Sequence, residues 1–189
     1  MDKKELRKFY SQKRDLLSEN EIYNRSLNVC KIFFETDIYK NSEKIFTYIN
    51  YKSEFNTTII VKKAFEDNKR VFVPVMSGKA HEMFFVEIKD FSELSKNKFG
   101  ILEPRLNFEK VLKSDNKTTI VVPALAYARD GFRLGYGGGF YDKYLSENNS
   151  LCNIGLAFDF QITYDIVHNE LDVPIDLIIS ENEFIKIKI

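Results

Sequence analysis

Histidine and cysteine are scarce in this chain of 189 residues, with two of each. His81 and His168 have no second histidine or cysteine nearby, and the run from His81 to Phe85 lacks the second histidine of the zinc-binding HExxH pattern. Cys30 and Cys152 stand far apart and show no metal-ligand spacing. Cys30 falls on the apolar face of an expected helix and Cys152 just before an expected strand, so both read as small buried hydrophobes, with a disulfide left open. No Ser/His or Cys/His nucleophile arrangement emerges. An excess of one charge is missing too: 28 basic residues balance 28 acidic ones, so the whole-protein field argues for neither nucleic acid nor an anionic membrane as partner. No apolar run approaches the roughly 18 residues of a membrane span. The first fifteen residues are charged helix without an apolar signal region, so the expectation is a cytoplasmic protein.

Apolar residues make up 44% of the chain, ample for one core. Asp2 and Glu5 have the spacing of a capping box, opening a helix with Leu6, Phe9, Leu16 and Leu17 along its inner stripe. Ser18 and Glu21 form a second box, before a helix whose inner face carries Ile22, Tyr23, Ser26, Leu27, Cys30, Phe33 and Phe34. Strands are expected over 44–50, 70–76, 83–88, 120–125, 153–158 and 177–180, with a helix over 58–68. Pro74 marks a strand end or edge, and a turn at 77–80 feeds an antiparallel addition at 83–88. A polar helix-like stretch precedes Phe99, residues 106–117 read as surface helix or loop, and the chain closes on the run FIKIKI. Alternating strands and helices without repeat or linker predict a single α/β domain over residues 1–189, a three-layer α/β/α arrangement around a mostly parallel sheet.

Glycine is also sparse, eight in all, yet four crowd positions 135, 137, 138 and 139. They lie between the strand expected at 120–125 and an amphipathic helix starting near Phe140. Glycines let successive backbone N–H groups face one concavity, and a helix N-terminus adds unpaired donors and its dipole. Arg133 supplies a charged fork matched to phosphate oxygens, and Asp142 a carboxylate where nucleotide magnesium would sit. The pattern is neither a P-loop nor a dinucleotide fingerprint, since Phe140 replaces the third glycine, and a tight structural corner is the plain alternative. Lys3 and Arg7, four apart, share a helix face and could reach one phosphate; solvated surface is the plain alternative for them.

The run VVPALAYARDGFRLGYGGGFYDKYL resembles the signature of the 5-formyltetrahydrofolate cyclo-ligase (methenyltetrahydrofolate synthetase) family: a strand ending in Pro-x-Leu-Ala-Phe, then Gly-x-Arg-Leu-Gly-x-Gly-x-Gly-Tyr/Phe-Tyr-Asp. Tyr127-Ala128 departs from the Phe-Asp often found there, which bears on packing under the loop. The family's opening Lys-x-x-Leu-Arg is matched from Lys3 to Arg7, its Gly-Ile-x-Glu-Pro element by Gly100 to Pro104, and its pterin-binding glutamate followed three residues later by threonine is matched by Glu54 and Thr57. The resemblance implies that Lys3, Lys4, Arg7, Arg133, Leu134, Gly135, Tyr136, Gly137, Gly138, Gly139, Phe140 and Tyr141 bind ATP, with Arg133 and Lys3 catalytic. It further implies that Ile49, Glu54, Tyr136 and Phe140 contact the reduced folate, and that Asp142 and Asp172 hold Mg²⁺, with Asp176 the weaker candidate for the second carboxylate.

The implied reaction converts 5-formyltetrahydrofolate and ATP to 5,10-methenyltetrahydrofolate, ADP and phosphate, in a monomer whose partners are these small molecules. From the residues alone the reading stops at a magnesium-dependent site for a phosphorylated ligand. A sugar-phosphate or acyl-coenzyme A enzyme of similar architecture, and a non-catalytic nucleotide or folate binder, stay as alternatives.

Overall fold

The computed structural model describes residues 2–79 and 81–187. Ala80 of the expected 77–80 turn and the last two residues of FIKIKI lie outside the described residues. Both capping boxes form. Asp2 accepts from the Glu5 N–H at 2.7 Å and opens α1 (Lys3–Asp15), and Ser18 accepts from the Glu21 N–H at 3.3 Å and opens α2 (Glu19–Glu35). There follow α3 (Asp37–Asn41), β1 (Lys44–Thr47), α4 (Thr58–Glu66), β2 (Arg70–Met76), β3 (Met83–Ile88), β4 (Leu94–Lys96) and β5 (Leu102–Pro104). The second half holds β6 (Thr118–Val121), β7 (Ala126–Ala128), β8 (Arg133–Leu134), α5 (Phe140–Glu147), β9 (Cys152–Leu156), β10 (Ile162–Thr163), β11 (Leu177–Ile179) and β12 (Phe184–Lys186).

Seven strands make the central sheet in the order β12-β11-β9-β6-β1-β2-β3. The five inner strands are parallel, and β3 and β12 add antiparallel edges. Parallel strands are buried on both faces, and successive side chains divide between the faces. Ile45, Val71, Val73, Val121, Leu177 and Ile179 pack with Val29, Cys30 and Phe33 of α2 and Ile60, Val61 and Ala64 of α4. Their neighbours Phe46, Phe72, Ile120 and Ile178 face the other way, against Tyr144 and Leu145 of α5. Three layers result, α2 and α4, the sheet, and α5. Gly155 of β9 faces Tyr127 so closely that a Cβ there would lie 2.4 Å from the ring, and Tyr127, fully buried, donates its hydroxyl to the Val122 carbonyl at 2.6 Å.

Several expectations give way. The strand expected at 120–125 runs from Thr118 to Val121, because Pro123 ends the pairing. The glycine segment is no simple loop: its β7 and β8 pair with each other and, through β7, with the later β10, forming a separate three-stranded sheet. The helix-like stretch before Phe99 is a 3₁₀ turn at Phe91–Glu93 followed by β4, paired antiparallel with β5. Residues 106–117 hold a 3₁₀ turn at Phe108–Lys110 within loop. Pro74 lies inside β2, beyond the last β1 partner at Phe72, where β2 has a neighbour on one side only. Cys30 and Cys152 are both buried and free. On α1 the inner residues are Tyr10 and Arg14, with Leu6 and Leu17 partly buried, while Phe9 and Leu16 face solvent at 41% and 83% exposure. On α2, Tyr23 is exposed.

The fold fixes where a ligand can go. Chain order runs β1 to β2 on one side and β6 to β9 on the other, so a switch point lies between β1 and β6, and open α/β sheets receive ligands beyond the carboxyl ends there. The 48–57 loop after β1 and the segment after β6 both leave from that edge. Tyr10 and Leu6 dock α1 across the small sheet, against Leu125, Ala126, Ala128, Leu134 and Ile166.

Candidate active site

A cleft of about 1530 Å³ opens at this switch point. Its lining includes Lys3, Arg7, Ile49, Glu54, Arg133, Leu134, Gly135, Tyr136, Gly137, Gly138, Gly139, Phe140, Tyr141, Asp142 and Asp172. Among the residues singled out from sequence, Lys4 and Asp176 do not line it. Lys4 is exposed, turned about 100° around the helix from Lys3. Asp176 precedes β11 and accepts from the Asn153 N–H at 2.7 Å. A second hollow, about 380 Å³ between Val86, Glu93, Arg105 and Lys110, contains none of the predicted site residues.

The glycine segment takes its shape from short-range bonds. Asp130 and Gly131 turn the chain, with the Ala128 N–H donating to Phe132 O at 2.8 Å, so Arg133 stands on β8 opposite Tyr127. Gly139 caps α5 at a φ of 65°, in the left-handed region that favours glycine. Among the described residues no side chain caps that helix, and its first turn lines the cleft, an arrangement suited to anions.

Two cation–carboxylate pairs stand side by side on the wall. Arg133, whose side chain is 4% exposed, donates to Asp142 Oδ1 at 2.8 Å and to the Val173 carbonyl at 2.6 Å. Asp142 Oδ1 also accepts from the Val173 N–H at 3.1 Å. Lys3 Nζ lies 3.0 Å from Asp172 Oδ2, which takes the Asn169 N–H as well. Burial works against the charge on Asp172, but the Asn169 N–H, the Lys3 ammonium and Arg133 outweigh it and hold this carboxyl below its usual value. Arg7 reaches over the loop, donating from Nε to Gly135 O at 2.9 Å.

The far wall is the 48–57 loop. Thr57 is fully buried and ties its ends, donating to Tyr48 O at 2.6 Å and accepting from the Asn50 N–H at 3.1 Å. Glu54 is thereby turned into the cleft, with Oε2 accepting from the Tyr51 N–H at 2.9 Å and Oε1 from the Tyr136 hydroxyl. Tyr141 also lines the cleft, and its hydroxyl is buried with no hydrogen-bond partner among the described residues. Burial, reinforced by the Glu54 charge, pushes the Tyr141 phenol well above its ordinary value, and desolvation of the hydroxyl between Arg14 and Glu54 does the same for Tyr136, a residue 51% exposed overall, so both remain protonated donors.

Sequence reasoning missed Arg14. It is 6% exposed on α1 and donates to the Tyr136 hydroxyl at 2.7 Å and to Ser53 Oγ at 3.2 Å. The signal was present: Lys3, Arg7, Tyr10 and Arg14 follow one another at steps of four, three and four, a single helix stripe. A search for apolar stripes passes over a buried face that is mainly basic.

Oxygen-only donors suit magnesium. Asp142 and Asp172 each keep one carboxylate oxygen outside the bonds just described, and both line the cleft. Among the described residues no group of three or more His, Cys, Asp or Glu side chains gathers as a ligand set. The two carboxylates by themselves would supply only part of an ion's shell, and Mg²⁺ commonly takes the rest from phosphate oxygens and water.

Taken together, the sheet order and the cleft at its switch point place the chain among α/β proteins with a ligand cleft at the carboxyl ends of the strands. Within that class the chain belongs to the 5-formyltetrahydrofolate cyclo-ligase family, a family of ligases, whose model matches residues 1–181. The chain is 30% identical to the probable 5-formyltetrahydrofolate cyclo-ligase of Caenorhabditis elegans, over 97% of this chain and 94% of that one. It is 31% identical to the 5-formyltetrahydrofolate cyclo-ligase of Haemophilus influenzae, over 72% and 74%. Among solved structures, the 5,10-methenyltetrahydrofolate synthetase of Aquifex aeolicus superposes with a TM-score of 0.86 at 28% identity, covering 100% of this chain and 94% of its own. The synthetase of Mycoplasma pneumoniae shares the fold, with a TM-score of 0.75 at 24% identity, over 96% and 100%. No helix of the described residues is long and apolar enough to cross a membrane.

Proposed function

We propose that the chain uses ATP to convert 5-formyltetrahydrofolate to 5,10-methenyltetrahydrofolate, releasing ADP and phosphate. The observation that carries this reading is one cleft with two unlike walls: cations, carboxylates and glycine N–H groups on one side, and a buttressed carboxylate, Glu54, on the other. A pterin offers an amino group and a ring N–H, which a carboxylate accepts as a pair of charge-assisted bonds. Ile49 supplies apolar contact beside it.

A formamide oxygen is a poor leaving group, so it first attacks the γ-phosphorus, and the bond to the β-phosphate oxygen breaks as ADP leaves. N10 then adds its lone pair to the formyl carbon and gives up its proton. The carbon–oxygen bond breaks with its electrons going to phosphate, and the N5 lone pair completes the methenyl cation. No step needs a covalent nucleophile from the protein, which contributes positioning and charge stabilisation instead.

In this scheme Arg133, Lys3, Arg7 and the N–H groups of residues 135–141 hold the triphosphate, with the Tyr141 hydroxyl as a further donor toward the space between the walls. Asp142 and Asp172 would hold Mg²⁺, which when bound offsets phosphate charge. The reading carries with it a single-domain cytoplasmic monomer acting on small molecules, with neither nucleic acid nor membrane as partner.

The near-ultraviolet absorbance of the methenyl product, followed with purified protein, 5-formyltetrahydrofolate and Mg²⁺, tests it. Growth only when ATP is present is the expected result. A flat trace from folded protein that binds ATP would return the substrate to unknown, and product formed without ATP would favour another chemistry.

A further inference from the structure

Arg14 stands outside the residues so far assigned to the reaction, yet it bonds both loops that form the cleft. Its Nη1 donates to the Tyr136 hydroxyl at 2.7 Å and its Nε to Ser53 Oγ at 3.2 Å. Tyr136 belongs to the glycine loop, Ser53 to the 48–57 loop, and Arg14 itself to α1, so three segments distant in sequence meet on one guanidinium. The bonds have a direction. Arg14 fills the acceptor side of the Tyr136 oxygen, and the hydroxyl proton of Tyr136 is given to Glu54 Oε1. The Tyr51 N–H holds the other carboxylate oxygen at 2.9 Å, so Glu54 is steadied from two sides. On the opposite flank Ser53 passes its own proton to Asp15, next to Arg14 on the helix. Hydrogen bonds in such a chain polarise one another, so loss of the first weakens the next.

We propose that Arg14 is a positioning residue which, through Tyr136, sets the Glu54 carboxylate for the ring system of the reduced folate and ties the glycine loop to the helix that carries Lys3 and Arg7. The inference rests on the cyclo-ligase reading and adds to it a physical link between the two halves of the site. The reaction requires such a link, because the formyl oxygen held from one wall must meet the γ-phosphorus held from the other. A planar fork is suited to this, since Nε and Nη1 address Ser53 and Tyr136 from fixed, separated positions, whereas a lysine must reach both from a single nitrogen on a flexible stem. Burial favours the same view. Arg14 is 6% exposed, and a guanidinium is kept in such a place only with partners.

The test compares the full chain with Arg14→Met, Arg14→Lys, Tyr136→Phe and the Arg14→Met/Tyr136→Phe double variant. Readouts are KM for 5-formyltetrahydrofolate and for ATP, kcat, calorimetric folate binding and thermal unfolding. Arg14→Met should raise the folate KM about tenfold and lower kcat, with Arg14→Lys recovering part of the loss. Tyr136→Phe interrupts the same chain, so the double variant should be little worse than the worse single one, the non-additivity expected of one linked unit. Multiplying single effects would overturn the proposal, as would a folded Arg14→Met chain with normal folate KM. Should Arg14→Met fail to fold, Arg14→Lys combined with Tyr136→Phe decides the matter by calorimetric folate binding: an Arg14→Lys loss that disappears in the Tyr136→Phe background supports the relay, and losses that multiply overturn it. A parent chain that neither binds nor converts the folate would defeat the underlying function, whereas an active parent with independent single effects would defeat the role of Arg14 alone.

Discussion

Arg133→Ala separates architecture from chemistry at one residue. In the structure the guanidinium is 4% exposed and divides its donors between Asp142 Oδ1 at 2.8 Å and the Val173 carbonyl at 2.6 Å. Its removal strands a carboxylate that is 25% exposed. Breaking a fully buried pair costs about 3–5 kcal/mol, and an exposed pair about 0–1 kcal/mol. With one partner buried and the other partly solvated, a loss of about 2–3 kcal/mol follows. At roughly 2–4 °C per kcal/mol for a chain of this size, the melting temperature should fall by about 4–12 °C. Turnover should fall further, because one donor to developing charge is worth about 2.7–4 kcal/mol, on the order of a hundredfold to a thousandfold. Thermal scans by circular dichroism, with turnover measured well below the variant's melting point, read the two effects separately. The Arg133→Ala/Asp142→Ala double variant should regain part of the stability, since no carboxylate is then left stranded, but none of the turnover. A single variant that melts within about 1 °C of the parent and turns over normally would refute both the pairing and the catalytic role.

For Glu54→Gln the expected effect is mainly on folate: calorimetric affinity should weaken about tenfold or more, for the loss of a charge-assisted acceptor worth about 1.5–3 kcal/mol, while ATP binding stays close to normal. Unchanged folate affinity would remove Glu54 from the site. Asp172 has a lowered carboxyl value in the folded chain, set against its burial by the Asn169 N–H, Lys3 and Arg133. Its contribution to stability is therefore fully present above the unfolded value of 3.8 and is lost as pH falls through the folded value. The stability difference between the parent and Asp172→Asn should accordingly be constant from about pH 7 to about 5 and shrink in more acid solution; denaturant titrations at a series of pH values would show it, and a difference that widens on acidification would reverse the sign of the argument.

Much of the fold and site is legible in the residues because the signals are local. Strands 70–76 and 83–88 and both capping boxes stand where period and spacing put them. The start of α5 at Phe140 follows from Gly139, whose left-handed φ few other residues adopt. The small sheet is hidden from sequence for a physical reason. Strands such as Arg133–Leu134 and Ile162–Thr163 are two residues long, too short to show alternation, and β10 pairs with residues 35 positions earlier, Ile162 with Tyr127. The β4–β5 hairpin passes for helix because its polar residues carry no clear period and its pairing is decided by the turn at Asn97, which accepts from the Phe99 and Ile101 N–H groups. Phe9 and Leu16 are expected inward on α1 because apolar residues usually are; here the helix sits over a polar cleft, and its inward stripe is Lys3, Arg7, Tyr10 and Arg14.

That helix also orders events in time. Lys3 meets Asp172 across 169 positions, and Tyr10 beds against residues as late as Ile166. A ribosome delivers α1 more than a hundred residues before its seat, at about 5–20 residues per second. For most of its synthesis the chain holds a basic amphipathic helix with nowhere to dock, and the charged wall of the cleft is complete only when the segment carrying Asp172 emerges. Long-range closure of this kind is slow relative to the local helices and hairpins, so the charged wall is assembled after most local structure of the chain has formed.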